Sequence, residues 1–205
     1  MIDRILAKEN AKKLLNTNYW HMVGAYILIT VIMLAASSIL PTVGGLVICG
    51  ILSVGQAIFL LKARKTGKAD LVLTFDGFKT NIGNNIIAGL LVSLYTFLWS
   101  LLFVIPGIVK AYSYSMTYYI MAENPNMTPS QAIEESKRLT DGFKWSLFVL
   151  DLSFIGWHLL SGLTCGILDA FYVGPYVRNA KTEYYEALKA AKNVSYAQPE
   201  ITVEA

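Results

Sequence analysis

Two ionisable residues at helical spacing, and a third in a separate stretch, are the candidates for chemistry in this chain. Asp151 and His158 are seven residues apart, which places them two turns apart on one helical face. Lys110 stands alone in another apolar stretch. Ionisable groups inside a membrane segment are costly and mark binding sites or ion pathways. Together they predict a polar core, and the tyrosines expected to complete it are Tyr114, Tyr118 and Tyr176.

Two interpretations of this core stay open. In the first, it is a cavity that binds a solute, a lipid headgroup or a proton. In the second, Asp151 only accepts hydrogen bonds that orient neighbouring helices, each worth about 0.6–2 kcal/mol. Lys110 favours the second interpretation, because near an interface its ammonium group can extend to the headgroups. His158 taken alone also favours a packed, hydrogen-bonded residue.

Motifs for enzymes and metal sites are absent from the sequence. It contains no HExxH, no phosphate-binding loop and no GxSxG. Cys49 and Cys165 lack the spacing of metal ligands. The basic segments also contain acidic residues, and no nucleic-acid motif accompanies them. We therefore expect a protein that is not an enzyme, has no catalytic residue, cofactor or metal, and does not bind nucleic acid.

The elements that position the candidates follow from where charged residues are missing. No Lys, Arg, Asp or Glu occurs between Lys13 and Lys62, or between Lys79 and Lys110. About 20 apolar residues suffice to cross a bilayer, and only helices satisfy the backbone there when the sequence lacks alternation. Six transmembrane helices are predicted, at about residues 20–40, 43–61, 86–105, 107–122, 145–163 and 166–177.

The basic residues predict how these helices are oriented. Sixteen of the 17 Lys and Arg residues fall on one side of a six-helix arrangement, and basic residues collect in the cytoplasm. We expect a multi-pass protein of the bacterial inner membrane with both termini cytoplasmic. The predicted fold is an all-α bundle of three helical hairpins in one domain, residues 1–192, followed by a disordered tail, residues 193–205.

A short sequence recurs before two of the predicted hairpins. Asp-Gly-Phe-Lys stands at 76–79 and again at 141–144. Two basic residues, a leucine and a tryptophan share their spacing at 12–20 and 137–145. We interpret these recurrences as three copies of one unit. Each unit would comprise a cytoplasmic amphipathic helix, a polar turn and a helical hairpin.

The connecting helices carry their own signals. Thr128 is a predicted N-cap, with Pro129 at the first helical position and Gln131 closing a capping box. Such helices are expected at the membrane interface, as a lipid or partner-docking surface or simply as connectors under the bundle. The aromatic residues expected at this interface are Phe75, Phe78, Phe143 and Trp145.

Three stretches carry a resemblance to a known family: residues 105–116 (IPGIVKAYSYSM), 122–125 (AENP) and 150–157 (LDLSFIGW). In combination they resemble the domain of unknown function 975 family, with similarity expected over nearly the whole chain. The resemblance implies a multi-pass inner-membrane protein, most often from Gram-positive bacteria. It implies no established activity, cofactor or catalytic residue.

The expected function is therefore a membrane-embedded binding or scaffold protein that acts on lipid, peptide or a protein partner. The alternative is a small transporter whose polar core contains Lys110, Asp151 and His158. Membrane lipids are the expected partners. An unknown protein partner and a homo-oligomer are left open.

Overall fold

The computed structural model describes residues 4–39, 44–102 and 104–196. These residues are helical with short connections and contain no strand, which confirms the all-α prediction. The helices, in chain order, are α1 (Arg4–Thr17), α2 (Tyr19–Ile39), α3 (Gly44–Thr66), a 3-10 helix (Leu71–Phe78), α4 (Ile82–Leu102), α5 (Val104–Tyr114), α6 (Thr117–Glu123), α7 (Pro129–Thr140), α8 (Lys144–Leu152), α9 (Ile155–Leu163), a π-helical turn (Asp169–Val173) and α10 (Gly174–Ala191).

Helix α3 lies at the centre of the protein. It packs against α2, the 3-10 helix, α4, α6 and α10, and every residue from 54 to 61 is buried. The 3-10 helix approaches it backbone to backbone, because a Cβ atom on Gly55 would lie 2.0 Å from the carbonyl oxygen of Thr74. An apolar helix of this kind is buried by protein on most of its faces.

Three helical segments are long and apolar enough to cross a membrane: Tyr19–Ala36, Ile82–Leu101 and Lys144–Leu163. They are the first arms of the three predicted hairpins, and only 28%, 17% and 22% of their residues are buried inside the protein. Three such segments, and not six, are therefore found in the described residues. Residues 40–43, the predicted turn of the first hairpin, lie outside the described residues.

The predicted span at 107–122 is interrupted between α5 and α6. Ser136 of α7 is completely buried at this interruption. Its hydroxyl accepts a hydrogen bond from the Met116 amide (3.2 Å) and donates one to the Ser113 carbonyl oxygen (2.8 Å). A side chain inserted into the backbone ladder is an established cause of a helix break. The resulting helices have 11 and 7 residues, and this stretch is not among the three segments that are long and apolar enough to cross a membrane.

One groove is lined by residues that the predicted six-span topology placed at different ends of two spans. That topology placed Ile105 at the outer tip of a hairpin and Lys144 at the inner end of the next. Both residues line one groove between α5 and α8. In this groove the ring of Tyr112, two turns after Ile105, lies 6.1 Å from the ring of Phe148. Helices α5 and α8 thus pack against each other at this groove.

The two ends of the described chain pack together. Helix α1 lies along α10 and buries Ala7, Ala11 and Leu15, a helical stripe at four-residue spacing. The predicted disordered tail began at residue 193, but the Tyr196 hydroxyl donates to Glu135 at 2.6 Å. Tyr196 thus contacts α7, and residues 197–205 lie outside the described residues.

The expected N-terminus of α7 is confirmed. Thr128 caps the helix, Pro129 stands in its first turn, and Gln131 completes the capping box. The sequence was decisive here because a capping box depends only on residues three positions apart.

Candidate ligand-binding pocket

An open pocket of about 400 Å³ lies between α2, α3, α6, α9 and α10. Its volume falls within the range of small-molecule sites, about 300–1,000 Å³. We call it the polar pocket. The polar residues that line it are Tyr26, Ser53, Gln56, Ser115, Tyr118, Tyr119, His158, Asp169, Arg178 and Lys181.

Asp169 stands at the start of the π-helical turn and binds two neighbours in the polar pocket. The Tyr26 hydroxyl donates to its carboxylate at 2.6 Å, and the Nδ1 atom of His158 lies 3.5 Å from it. Gly174, directly after the turn, makes room for the tyrosine ring, since a Cβ atom there would lie 2.2 Å from it. Short π-helical turns of this kind are frequent at functional sites.

The two cations of the polar pocket differ in their partners. The Lys181 ammonium is paired with the Asp151 carboxylate at 3.1 Å. The Arg178 guanidinium lies 5.1 Å from the centre of the Tyr26 ring, and no carboxylate of the described residues forms an ion pair with it. Arg178 is therefore the cation available to an anionic ligand.

Gln56 is a buried amide on the wall of the polar pocket. The residue is only 5% exposed, and its side chain forms no hydrogen bond with any described residue. The Tyr118 hydroxyl on the facing helix also lacks a partner within the described chain. Neither group is among the fully buried side-chain atoms that lack a partner, so their polar atoms reach the open pocket. Both groups are therefore available to whatever fills the pocket.

The structure brings only part of the predicted polar core together. His158 and Tyr118 line the polar pocket. Asp151 forms an ion pair with Lys181, which also lines it. Lys110 lies elsewhere, with its ammonium 4.5 Å from the centre of the Trp99 ring. The reason is the break between α5 and α6, which ends the common helical face on which Lys110 and Tyr118 were expected.

The other two predicted tyrosines also lie outside the polar pocket. Tyr114 is buried with its ring 6.1 Å from that of Tyr95. The Tyr176 hydroxyl donates to the Lys8 carbonyl at 3.3 Å, and its ring meets that of Phe154 edge-on at 5.1 Å. Both have packing roles between helices.

Sequence reasoning missed Tyr26, Gln56 and Arg178. Gln56 had a usable signal, because it is the one amide or charged residue in the apolar stretch 43–61. Tyr26 and Arg178 had none, since tyrosines are common in this chain and Arg178 was explained as part of a basic terminal segment. Their meeting depends on how α2 packs against α10.

The predicted interfacial residues fall into two groups. Phe75, Phe78 and Trp145 are 38%, 39% and 74% exposed. Phe143 instead packs against the core, with the Lys192 ammonium 5.8 Å from its ring centre. Only the first three are therefore positioned to contact lipid or another protein.

A second charged cluster joins the ends of α3, α6 and α10. Glu123 is 2% exposed and binds the Lys189 ammonium at 2.7 Å and the Tyr185 hydroxyl at 2.8 Å. The Lys65 ammonium lies 3.5 Å from the Glu123 carboxylate. Burial, reinforced by the Glu123 carboxylate, raises the pKa of Tyr185 well above its ordinary value. These groups form ion pairs and a hydrogen bond with one another, so the cluster holds the ends of α3, α6 and α10 together.

Comparison with known families gives a match over much of the second half of the chain. Residues 103–192 match a family model. The family is DUF975, described as Protein of unknown function. This match confirms the resemblance that was based on residues 105–116, 122–125 and 150–157, all of which lie inside it. No curated protein and no solved structure matches the chain.

The DUF975 match is less extensive than the sequence resemblance suggested. It begins at residue 103 and leaves α1 to α4 outside. Tyr118, His158, Asp169 and Arg178 lie within the DUF975 segment, whereas Tyr26, Ser53 and Gln56 come from the preceding half. Both halves of the chain thus build the polar pocket.

Proposed function

We propose that this protein is a non-enzymatic, membrane-embedded binding protein whose polar pocket holds the phosphate group of a membrane lipid. The observation that carries the proposal is that two groups with free donors line one pocket. They are the Arg178 guanidinium, which forms no ion pair with a carboxylate of the described residues, and the Gln56 amide, which forms no hydrogen bond with them. Arginine presents a planar set of donors that matches phosphate geometry.

The other groups of the polar pocket support a phosphate ligand. The Tyr118 hydroxyl and the Gln56 amide can each donate a hydrogen bond to a phosphate oxygen. Asp169 would repel an anion, but its carboxylate already accepts from Tyr26 and lies beside His158. Asp169 and Arg178 both lie beside Tyr26, so a zwitterionic headgroup would place its phosphate on Arg178 and its cationic substituent on Asp169.

The membrane setting of this proposal rests on the three apolar segments. Because α1 packs along α10, the two ends of the described chain lie close together. The Lys and Arg residues at both ends favour the cytoplasmic side. We therefore propose a multi-pass protein of the bacterial inner membrane with cytoplasmic termini, in which the chain returns to the cytoplasmic side after each of the three segments.

The experiment is native mass spectrometry of the protein released from nanodiscs of phosphatidylcholine containing phosphatidylglycerol or phosphatidylethanolamine. The wild type should retain one phospholipid, and Arg178→Gln should lower its occupancy about tenfold, as expected for a charged hydrogen-bonded contact. Arg138→Gln is the matched control, because it removes the same charge from a surface ion pair with Glu135.

Equal occupancy in wild type, Arg178→Gln and Arg138→Gln would contradict the proposal. Retention of one headgroup class over the other would show which substituent lies beside Asp169. Gln56→Leu, which keeps the volume and removes the amide, should weaken binding by a smaller factor than Arg178→Gln.

The transporter alternative required Lys110, Asp151 and His158 in one core. The Lys110 ammonium lies against the Trp99 ring instead, so the three residues do not form one core. We therefore do not propose a transporter. A protein partner and self-association stay predictions.

A further inference from the structure

We propose that the groove between α5 and α8 binds an acyl chain of the lipid whose phosphate group occupies the polar pocket. This inference rests on the proposed function and names its ligand more closely, as an anionic or zwitterionic amphiphile. The groove and the polar pocket would then be two parts of one binding site.

The lining of the groove fits hydrocarbon. Ile105, Ile108, Val109 and Tyr112 recur at helical spacing on one face of α5 and form one wall. Trp145 and Phe148 of α8 form the other wall, and their rings are 5.2 Å apart. The groove has a volume of about 420 Å³, comparable to that of the polar pocket.

The surroundings of the groove also indicate lipid. Ile105 and Trp145 at its edge are 76% and 74% exposed, and Leu101 on the neighbouring helix is 74% exposed. These residues adjoin two of the segments that are apolar enough to cross a membrane, Ile82–Leu101 and Lys144–Leu163. A large exposed apolar surface of this kind marks contact with membrane or with protein.

A chain of direct contacts connects the groove with the polar pocket. Tyr112 lines the groove, and its hydroxyl donates to the Asp151 carboxylate at 3.0 Å. The other oxygen of Asp151 binds the Lys181 ammonium at 3.1 Å, and Lys181 lines the polar pocket. The side chains of Tyr112, Asp151 and Lys181 therefore lie between the two cavities, and Asp151 holds the other two in place.

Charge complementarity assigns the two ends of the ligand. The polar pocket offers Arg178 and the Gln56 amide, whereas Lys144 is the one charged residue among those that line the groove. Lys144 is already paired with Asp141 at 3.7 Å. The phosphate end thus belongs in the polar pocket and the apolar end in the groove, with Asp151 as the positioning residue between them.

The test uses the full chain held in amphipol and titrated with two kinds of probe. Glycerol 3-phosphate reports on the polar pocket alone. A series of lysophosphatidylglycerols with short, medium and long saturated chains reports on both cavities. For the wild type we expect affinity to rise at least about tenfold from the short to the long chain, because each buried methylene contributes.

Val109→Trp fills the groove, and Leu101→Trp is its matched control on the exposed surface outside it. Val109→Trp should abolish the dependence on chain length and leave glycerol 3-phosphate binding unchanged, while Leu101→Trp should change neither. Ile108→Ser is a milder change and should weaken binding of the long-chain lysolipid several-fold. It tests whether the groove binds the acyl chain if Val109→Trp fails to fold.

The outcomes separate this inference from the proposed function. Chain-length dependence that is equal in wild type, Val109→Trp and Ile108→Ser would overturn the groove as the chain site while the polar pocket stands. Failure of the wild type to bind glycerol 3-phosphate or any lysolipid would overturn both. If Arg178→Gln binds the lysolipids as tightly as wild type and with the same dependence on chain length, the phosphate group lies elsewhere. That result would overturn the assignment of the phosphate end to the polar pocket and the acyl end to the groove.

Discussion

The sequence Asp-Gly-Phe-Lys occurs twice before an apolar helix, and its two copies have different structures. The first copy, Asp76–Lys79, ends the 3-10 helix, and its aspartate is only 5% exposed. The second copy, Asp141–Lys144, forms the turn between α7 and α8, and its aspartate side chain is 76% exposed. Both copies keep an ion pair between the first and fourth residues.

The glycines show why the copies differ. Gly77 packs against α3, where a Cβ atom would lie 2.2 Å from the Ile51 carbonyl oxygen and 2.8 Å from the Gly55 amide nitrogen. Gly142 has open space around it but a backbone φ of +82°. In one copy glycine is required by a neighbouring helix, and in the other by its own turn. An identical motif is therefore no proof of an identical environment.

The largest expected effect is that of alanine at these two glycines. Gly77→Ala should destabilise the protein by about 3 kcal/mol or more, because the added methyl group meets backbone that cannot move aside. Gly142→Ala should cost about 1 kcal/mol, the strain of a left-handed alanine. Thermal unfolding in detergent, followed by circular dichroism, compares the two. Equal shifts in Tm would contradict the structural difference between the copies.

The two aspartates should differ by a smaller amount. Asp76→Ala leaves a void beside α3 and removes the buried partner of Lys79, for an expected loss of about 1–2 kcal/mol. Asp141→Ala removes one half of an exposed pair and should cost less than about 0.5 kcal/mol. The same unfolding measurement serves here, and a larger loss for Asp141→Ala would show that the second turn is the more constrained one.

The smallest expected effect is a pH dependence of stability that comes from Glu135 of α7, the helix before the second copy. Hydrogen bonds from Arg138, and a further one from Tyr196, hold the pKa of Glu135 below its ordinary 4.5. A lowered folded-state pKa stabilises the protein above the unfolded value, and this contribution is lost as pH falls through the folded-state pKa.

Wild type should therefore exceed Glu135→Gln in stability at neutral pH by less than about 1 kcal/mol, since Arg138 is largely exposed. The difference should vanish as the pH falls below 4.5. Unfolding midpoints of both proteins across acidic pH measure it. A difference that is constant with pH would mean that the charge of Glu135 has no part in holding α7.

Local signals in this sequence were reliable, whereas inferences across helices were not. The capping box at Thr128 was predicted correctly because it involves residues three apart. The expected face shared by Lys110 and Tyr118 failed because Ser136, from a distant helix, occupies the break between α5 and α6. His158 lies beside Asp169, a partner that the π-helical turn positions and that sequence spacing did not predict.

The sequence by itself determined that this chain is helical and contains long segments apolar enough for a membrane, because composition and periodicity act within each segment. It also determined the family resemblance of its second half. Only the tertiary structure decided which polar residues meet. Tyr26, Gln56 and Arg178 come from three separate helices, and their proximity depends on close packing between α2, α3 and α10, which no local pattern encodes.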